Sequence, residues 1–295
     1  MIVIVPAPPG LEDALRQLAA EAQSRYGVSL IGVQPTEGGV QGWVAIPAQA
    51  EAVTAIMARL WPAGSSRILV LSRRRARFGL HPQAAPLEVW RRPPAAEDGR
   101  EPERTSQLLP GDPPAAVVAV RLGSFLVRAP GEALGWVAKG GEYRIGAPGL
   151  APGKAPTDIL REKGSWSPDQ VIATALAQLG RPYVWGGTGA QGVDCSGLIW
   201  RAFLTAGILL PRNSRAQRNI GRRVPRSELR RADLLAAISR GPRRTSHVAL
   251  ALSSDEVVHA CSELMVVRRE PLSDFEQRYR LLTVRRIAGA SSQDR

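Results

Sequence analysis

The amino-acid sequence predicts an α+β protein built from three parts in a row. Residues 1–80 show two helical patterns among short apolar runs, and residues 81–148 show short β-type runs separated by turns. Residues 167–288 show helices that are followed by strands. Such changes of pattern along a chain are typical of separate structural units. The 295 residues are enough for two or three domains with buried cores.

The first part has the order βαββαβ, which predicts a ferredoxin-like sandwich. Its two helical faces are marked by Leu11, Leu15, Leu18 and Ala22, and by Val53, Ile56, Met57 and Leu60. Its strands are predicted at residues 2–5, 28–33, 40–46 and 67–71. This part shows no catalytic constellation, so we expect an interaction or scaffold role, although a fold alone does not fix a function.

The second part predicts a small β module. Its strands are predicted at residues 89–91, 106–109, 116–122, 125–128 and 135–137. The turn at residues 108–112 and the triplet Gly135-Trp136-Val137 resemble bacterial SH3-like modules. Residues 149–166 are rich in proline and glycine and predict a linker, and residues 289–295 predict a disordered tail.

The chain is strongly basic, with a net charge of +13, which favours anionic partners such as wall polymers, nucleic acid or acidic lipids. The arginine run at residues 73–77 is more typical of a solvated face, so no specific nucleic acid is expected. No apolar stretch reaches the ~18 residues of a membrane span. The first residues, MIVIVPAPPG, lack the basic start and long apolar core of a secretory signal, which predicts a cytoplasmic protein unless a start lies upstream.

Cys195 is the residue around which the third part is organised. Apolar residues follow it at helical spacing and Gly207 ends the pattern, so Cys195 is predicted at a helix N-terminus: the apolar positions are Leu198, Ile199, Ala202, Phe203 and Ala206. The unpaired N–H groups and the dipole at that end favour negative charge. We therefore expect a thiol that loses its proton easily, and the thiolate is the nucleophilic form.

A nucleophilic thiol needs a base, and the chain has three histidines. His247 and His259 follow Cys195 and lie in two β-type runs that a turn at residues 253–255 separates. The alternative interpretation is a buried apolar cysteine with structural strand histidines. The second cysteine, Cys261, fits that plainer interpretation best, although a disulfide with Cys195 stays open.

The third part resembles the NlpC-type cysteine peptidases, a papain-like family that cuts peptidoglycan stem peptides. The resemblance covers roughly residues 167–288 and rests on separated motifs in the right order. These are GRPYVWGG at residues 180–187, DCSGL at 194–198, LPRNS at 210–214, SHV at 246–248 and VHA at 258–260. The sequence departs from the family at Ala232, where the family has a turn glycine.

The resemblance implies a role for each residue of a catalytic set. It makes Cys195 the nucleophile, His247 the general base and His259 the polar group that orients His247. It also implies that the phenol of Tyr183 helps the Cys195 N–H to bind the oxyanion. This chemistry implies no metal and no organic cofactor.

The resemblance further implies the γ-D-glutamyl–diamino-acid bond of a stem peptide as the bond that is cut. In the muropeptide-recycling branch, residues equivalent to Asp194, Ser196 and Ser214 hold the free N-terminal L-alanine. Helix capping is the alternative role for Asp194 and Ser196. The SH3-like module of that branch adds an acidic residue and a tyrosine, for which the loose candidates are Glu97, Glu101, Glu103 and Tyr143.

Two other functions stay open at this point. One is a wall-associated hydrolase that acts on intact peptidoglycan, and the other is a non-catalytic module that binds peptidoglycan with the same groove. Protein partners are unknown from the sequence.

Overall fold

The structure is a computed structural model that describes residues 6–26, 31–45, 47–71, 76–94, 103–121, 123–149, 160–161, 166–189, 191–242 and 244–289. The predicted strand at residues 2–5, most of the predicted linker and of the tail, and the candidates Glu97 and Glu101 lie outside these residues. The described residues form a mixed α/β fold with three larger sheets, of three, seven and six strands.

The amino-terminal unit packs two helices against the three-stranded sheet. Its elements are α1 (Leu11–Tyr26), β1 (Ile31–Thr36), β2 (Gly39–Val44), α2 (Pro47–Leu60) and β3 (Ser65–Val70). The predicted helix faces are confirmed, since Leu11, Leu15, Val53 and Met57 are buried in one core.

The sheet of this unit does not follow the ferredoxin-like order. Strand β2 pairs antiparallel with β1 and pairs parallel with β3 directly, whereas the ferredoxin-like fold places its first strand between these two. A direct parallel pair leaves no position for that strand, so the ferredoxin-like prediction is not confirmed.

The β module is a seven-stranded antiparallel sheet in the order β10-β4-β7-β8-β9-β5-β6. Its strands are β4 (Gly79–Pro82), β5 (Leu87–Trp90), β6 (Arg104–Leu108), β7 (Ala115–Arg121), β8 (Ser124–Arg128), β9 (Leu134–Ala138) and β10 (Tyr143–Gly146). The five predicted strands are confirmed within one or two residues, and β4 and β10 extend the sheet. The SH3-like assignment of this module stays a prediction.

Arg128 joins the amino-terminal unit to the β module. Its guanidinium is 5% exposed, donates to the carbonyls of Ala45 and Leu71 at 2.5 and 3.1 Å, and pairs with Glu132. A buried arginine must have such partners, because the cost of removing its charge from water is otherwise not offset. The contact places the ends of β2 and β3 against β8.

The carboxy-terminal domain packs helices against the six-stranded sheet in the order β15-β20-β16-β17-β18-β19, in which all neighbours are antiparallel. Its helices are α3 (Pro168–Leu176), α4 (Cys195–Thr205), α5 (Ser214–Gln217) and α6 (Leu272–Arg278). The strands of the sheet are β15 (Arg222–Val224), β16 (Leu234–Ser239), β17 (Ser246–Ala251), β18 (Glu256–Cys261), β19 (Val266–Pro271) and β20 (Tyr279–Arg286). Two short two-residue pairings lie outside the large sheet: β11 (160–161) pairs with β14 (208–209), and β12 (188–189) pairs with β13 (192–193).

Helix α4 is built as the sequence predicts. It begins at Cys195, its face at Leu198, Ile199 and Phe203 is fully buried, and Gly207 follows it with a φ of +74°. This conformation is open to glycine at little cost. The helix therefore presents its first residue, Cys195, towards the adjacent strand β17.

The turn before β16 has an alanine, Ala232, in the position where the family has a glycine. Ala232 adopts a φ of +63°, while Asp233 accepts a hydrogen bond from the Arg230 N–H and forms an ion pair with Arg286. A side chain in the left-handed region costs about 1–2 kcal/mol. The contacts of Asp233 stabilise the turn and offset this conformational cost. Within the described residues, no helix is both long and apolar enough to cross a membrane.

Candidate active site

A cleft of about 320 Å³ lies between the β module and the carboxy-terminal domain. It is lined by all but one of the predicted site residues, namely Tyr183, Asp194, Cys195, Ser196, Ser214 and His247. The remaining one, His259, is fully buried behind His247. The structure thus brings the whole predicted set together: six residues line the cleft, and His259 lies behind them.

The thiol of Cys195 lies at the floor of this cleft and is only 6% exposed. Burial and, to a lesser extent, the nearby Asp194 carboxylate raise its pKa to about 12, against the opposing effect of the backbone N–H groups of Val248 and Ser196. The expectation of an easily lost proton was therefore wrong for the resting site. Burial outweighs the helix N-terminus, and the thiol rests in its neutral form.

The two histidines form a hydrogen-bonded pair on adjacent strands. His247 Nε2 lies 2.8 Å from His259 Nδ1, and the predicted hairpin between them is confirmed by the pairing of β17 with β18. Burial and the neighbouring His259 lower the pKa of His247 well below its ordinary value. Burial also lowers the pKa of His259. Both rings are accordingly neutral near pH 7.

The pairing leaves one ring nitrogen of His247 for the thiol. Since Nε2 is engaged by His259, Nδ1 is the atom that can take the Cys195 proton. The ring is also held by stacking on Tyr279, with centroids 4.1 Å apart and planes 10° from parallel. The His247 ring is thus held in both position and rotation.

Tyr183 lines the cleft with a side chain that is 8% exposed. Burial, together with the nearby Cys195 and Asp194, raises the pKa of this phenol far above its ordinary value. The hydroxyl therefore keeps its proton and is a competent donor to a developing oxyanion. The Cys195 N–H, at the first position of α4, has no acceptor within the helix and can serve the same oxygen.

Asp194 does not have the free carboxylate that an ammonium-binding role requires. Its Oδ1 accepts from the Gly197 N–H, the Ser196 hydroxyl and Arg212, at 2.6, 3.0 and 2.9 Å. Its Oδ2 accepts from the Gly186 N–H and from Arg212, both at 2.8 Å. The capping alternative is the one that the geometry supports, and the predicted hold on a substrate amine is not supported for Asp194.

Arg212 is the partner that sequence reasoning missed on this side of the thiol. It is 1% exposed, bonds Asp194 and Ser196, and reaches the Ser106 hydroxyl of the β module at 3.2 Å. The motif LPRNS contained it, but nothing in the sequence showed that it would turn inwards. The buried ion pair fixes the start of α4 and ties it to the β module.

The β module contributes Arg91 and Thr105 to the cleft wall, rather than Glu103 or Tyr143, the two of its candidates that lie within the described residues. Glu103 is paired with Arg91 at 3.1 Å, and Tyr143 packs on Phe125. Neither of these two candidates is among the residues that line the cleft. Arg215, Arg244 and the half-exposed Trp185 complete a basic and aromatic wall.

Glu270 on β19 is the second residue that the sequence did not reveal. Its Oε1 lies 3.0 Å from His259 Nε2, and its side chain is fully buried. The only sequence signal was a single acid in the arginine-rich run at residues 268–270. No cluster of three or more His, Cys, Asp or Glu side chains suited to a metal occurs in the described part of the chain.

A buried cysteine at a helix start, with a histidine pair and a protonated phenol around it, is the arrangement of a candidate thiol-dependent active site. Residues 180–286 match the profile of the NlpC/P60 family. This part of the chain is an NlpC/P60 domain.

Over the aligned regions, the curated and solved proteins that match this domain are about one third identical to this chain. The peptidoglycan endopeptidase RipA of Mycobacterium tuberculosis is 35% identical over 133 residues, which are 41% of this chain and 28% of RipA. The γ-D-glutamyl-L-lysine dipeptidyl-peptidase of Bacillus subtilis is 32% identical over 103 residues, 35% of this chain and 34% of that protein. The solved structure of the peptidoglycan hydrolase RipB of M. tuberculosis is 35% identical with a TM-score of 0.35, over 41% of this chain and 64% of that one. The chain thus spans less than two thirds of each of these proteins.

Proposed function

We propose that this chain is a cysteine endopeptidase that hydrolyses the γ-D-glutamyl–diamino-acid bond of peptidoglycan stem peptides. The observation that carries the proposal is that Cys195, His247 and Tyr183 line one cleft, with His259 hydrogen-bonded behind His247. The names of the relatives, peptidoglycan endopeptidases and a γ-D-glutamyl-L-lysine dipeptidyl-peptidase, support the substrate class.

The reaction starts from a neutral thiol and a neutral imidazole. As the Cys195 sulfur attacks the γ-carbonyl carbon, His247 Nδ1 takes the thiol proton, and the oxyanion is received by Tyr183 and the Cys195 N–H. The proton then passes to the leaving amine of the diamino acid, which leaves a thioester on Cys195. A water molecule, deprotonated by His247, cleaves the thioester and restores the thiol.

The basic wall of the cleft suits the charge of such a peptide. A γ-linked D-glutamate keeps its α-carboxylate free, and the cleft wall carries Arg91, Arg215 and Arg244 from three separate segments, with Arg91 also paired with Glu103. Guanidinium groups bind carboxylates with paired hydrogen bonds. We propose that these arginines favour the γ-linked, acidic backbone over an ordinary α-linked peptide.

The engaged state of Asp194 bears on whether the substrate is a free muropeptide. With both oxygens bonded to Arg212 and to backbone N–H groups, Asp194 is a poor partner for an N-terminal ammonium. This observation favours the alternative of a hydrolase that acts on intact peptidoglycan over the recycling of free muropeptides. The SH3-like assignment of the β module stays a prediction. The predicted cytoplasmic location fits the recycling of free muropeptides, whereas action on intact peptidoglycan requires a secreted or wall-associated protein.

Digestion of three synthetic peptides tests the proposal. The first is L-Ala-γ-D-Glu-diaminopimelate with a free amine, the second has that amine acylated, and the third has an α-linked L-glutamate. We expect cleavage of the first two at similar rates and little cleavage of the third, with all activity lost in Cys195→Ala. Cleavage that strictly requires the free amine would restore the recycling function, and no cleavage of any peptide would favour a non-catalytic binding module.

A chelator control separates thiol chemistry from metal chemistry. We expect EDTA to leave the digestion rate unchanged and iodoacetamide to abolish it, because the proposed steps use only a thiol, an imidazole and hydrogen-bond donors. Inhibition by EDTA that added Zn²⁺ reverses would contradict the proposed mechanism.

A further inference from the structure

The strongest feature outside the predicted set is a buried carboxylate behind the histidine pair. Glu270 is fully buried, its Oε1 contacts His259 Nε2 at 3.0 Å, and its Oε2 faces Arg278 and Arg268. A carboxylate is kept in such a place only when its charge is paired and its oxygens are hydrogen-bonded. Both conditions are met here on one side by the arginines and on the other by the imidazole.

The arrangement fixes where the protons of both imidazoles lie. Burial raises the pKa of Glu270, but the hydrogen bond from His259 and the charges of Arg278 and Arg268 together lower it, so the group is a carboxylate and only accepts hydrogen bonds. His259 must then carry its proton on Nε2, which leaves Nδ1 as an acceptor. His247 must in turn donate from Nε2 to that Nδ1, so its own Nδ1 faces the cleft without a proton.

We propose that Glu270 is a positioning residue that sets the tautomer of His247 through His259. The proposal rests on the proposed function in that His247 acts as the base, although the geometry of the relay is independent of the substrate. The order of groups is Cys195, His247, His259, Glu270 and Arg278, which runs from the cleft across β17, β18 and the edge strand β19 to helix α6. Without the carboxylate, His259 can hold its proton on Nδ1 and donate it to His247 Nε2. The proton of His247 then lies on its Nδ1, which is the nitrogen that must accept the proton of the thiol.

Ring nitrogen spectroscopy on the wild-type chain tests this relay directly. The chain has three histidines, so ¹⁵N-histidine labelling gives a spectrum of only six ring nitrogens. At pH 7 we expect His247 and His259 both to be protonated on Nε2 and unprotonated on Nδ1, with assignment by His247→Gln and His259→Gln. Protonation of His259 on Nδ1 would overturn the proposal, whatever the activity of the protein.

Substitution of the carboxylate provides the second arm. In Glu270→Leu we expect a mixture of ring tautomers, and kcat to fall about 10- to 100-fold, as for other outer partners that orient imidazoles, with KM nearly unchanged. Glu270→Gln keeps an acceptor oxygen and should recover part of kcat. Retention of both the single tautomer and full kcat in Glu270→Leu would refute the relay.

Matched controls separate the relay from a merely structural role. Glu256→Gln removes another acid from the same pair of strands, where Glu256 bonds Arg269 near the surface, and it should change neither tautomers nor kcat. The rate at which iodoacetamide alkylates Cys195 reports how well His247 takes the thiol proton, and it can be measured without a peptide substrate. This rate should fall in Glu270→Leu but not in Glu256→Gln. If Glu270→Leu does not fold, the wild-type spectrum still decides. Equal alkylation rates in folded wild type and Glu270→Leu would count against the proposal even if no peptide substrate is cleaved.

Discussion

The two sides of Cys195 are built from different chemistry. On the side of the sheet, His247, His259 and Glu270 form a row of hydrogen bonds in which protons have defined places. On the side of helix α4, Asp194 and Arg212 form a buried ion pair that bonds the backbone around the thiol. We call these the histidine side and the arginine side.

The difference shows how a site can separate proton transfer from positioning. The histidine side holds groups that change protonation during the proposed reaction, and it is anchored at its far end by Arg278. The arginine side holds charges that stay fixed, and it connects the helix start to the β module through Ser106. Damage to the first should mainly lower the rate, and damage to the second should mainly lower the stability.

The largest predicted effect is a loss of kcat, and it is expected from a substitution on the histidine side. His247→Gln should lower kcat about 10⁴-fold or more, because members of such a catalytic unit act together and the residual rate comes from binding and oxyanion contacts alone. Thermal unfolding should show a folded protein, since no buried charge is left behind. Peptide digestion with purified protein measures the rate, and a loss of less than tenfold would contradict the role of His247 as base.

On the arginine side, Arg212→Met should destabilise the folded state by about 3–5 kcal/mol, because it leaves Asp194 buried without its counter-charge. The double variant Asp194→Asn/Arg212→Met should lose less than the sum of the single losses. Urea unfolding measures both. As a control, Arg269→Met breaks an ion pair near the surface and should change stability little. An additive double variant would show that the two groups do not act as a pair.

Tyr183 belongs to neither side, and loss of its hydroxyl should lower the catalytic rate without weakening substrate binding. Tyr183→Phe should lower kcat about 10²- to 10³-fold, as expected when one oxyanion donor is removed, with little change in KM. The phenol has no other hydrogen-bonding duty in the proposed mechanism, so stability should hold. An unchanged kcat would assign the oxyanion to the backbone N–H of Cys195 alone.

The pH dependence of stability gives the smallest effect and probes the histidine side again. The pKa values of His247 and His259 are lowered in the folded state, whereas an unfolded histidine takes up a proton below about pH 6.5. The unfolded state therefore binds more protons, and the free energy of unfolding should fall as the pH decreases from 7 to 5. Each such histidine contributes up to about 1.4 kcal/mol per pH unit.

Denaturant unfolding at several pH values measures this slope. The slope should become shallower in His259→Asn, which keeps a polar side chain but loses the titrating ring. A wild-type stability that stays flat between pH 7 and 5 would mean that the two rings are not held neutral.

The sequence predicted the first layer of the site but not the residues behind it. Cys195, His247, His259 and Tyr183 lie in motifs whose order and spacing carry the chemistry, and the structure places them at or directly behind one cleft. Arg212 and Glu270 were missed because an arginine or an acid in a charged run gives no sign that tertiary packing will bury it. The same reason explains why the expected ammonium-binding role of Asp194 is not supported. Whether its carboxylate oxygens are free depends on whether the side chain of Arg212 contacts them, and the sequence does not show this contact.

The direction of the Cys195 pKa shift could not be predicted from the residues around it in the sequence. A helix N-terminus favours a thiolate, but the depth of the cleft and the Asp194 carboxylate decide the balance, and both come from the assembled fold. In the amino-terminal unit the helix and strand patterns were readable, while the direct pairing of β2 with β3 was not, because strand order depends on contacts far apart in the sequence.

Detection of the acyl-enzyme tests the central claim most directly. The purified protein is mixed with L-Ala-γ-D-Glu-diaminopimelate, quenched in acid within a fraction of a second, and analysed by intact and peptide-level mass spectrometry. The account predicts a mass increase equal to the L-Ala-D-Glu acyl group on the peptide that contains Cys195, and no such adduct in Cys195→Ala. Cleavage of the peptide by Cys195→Ala at the wild-type rate, with no adduct on either protein, would contradict it.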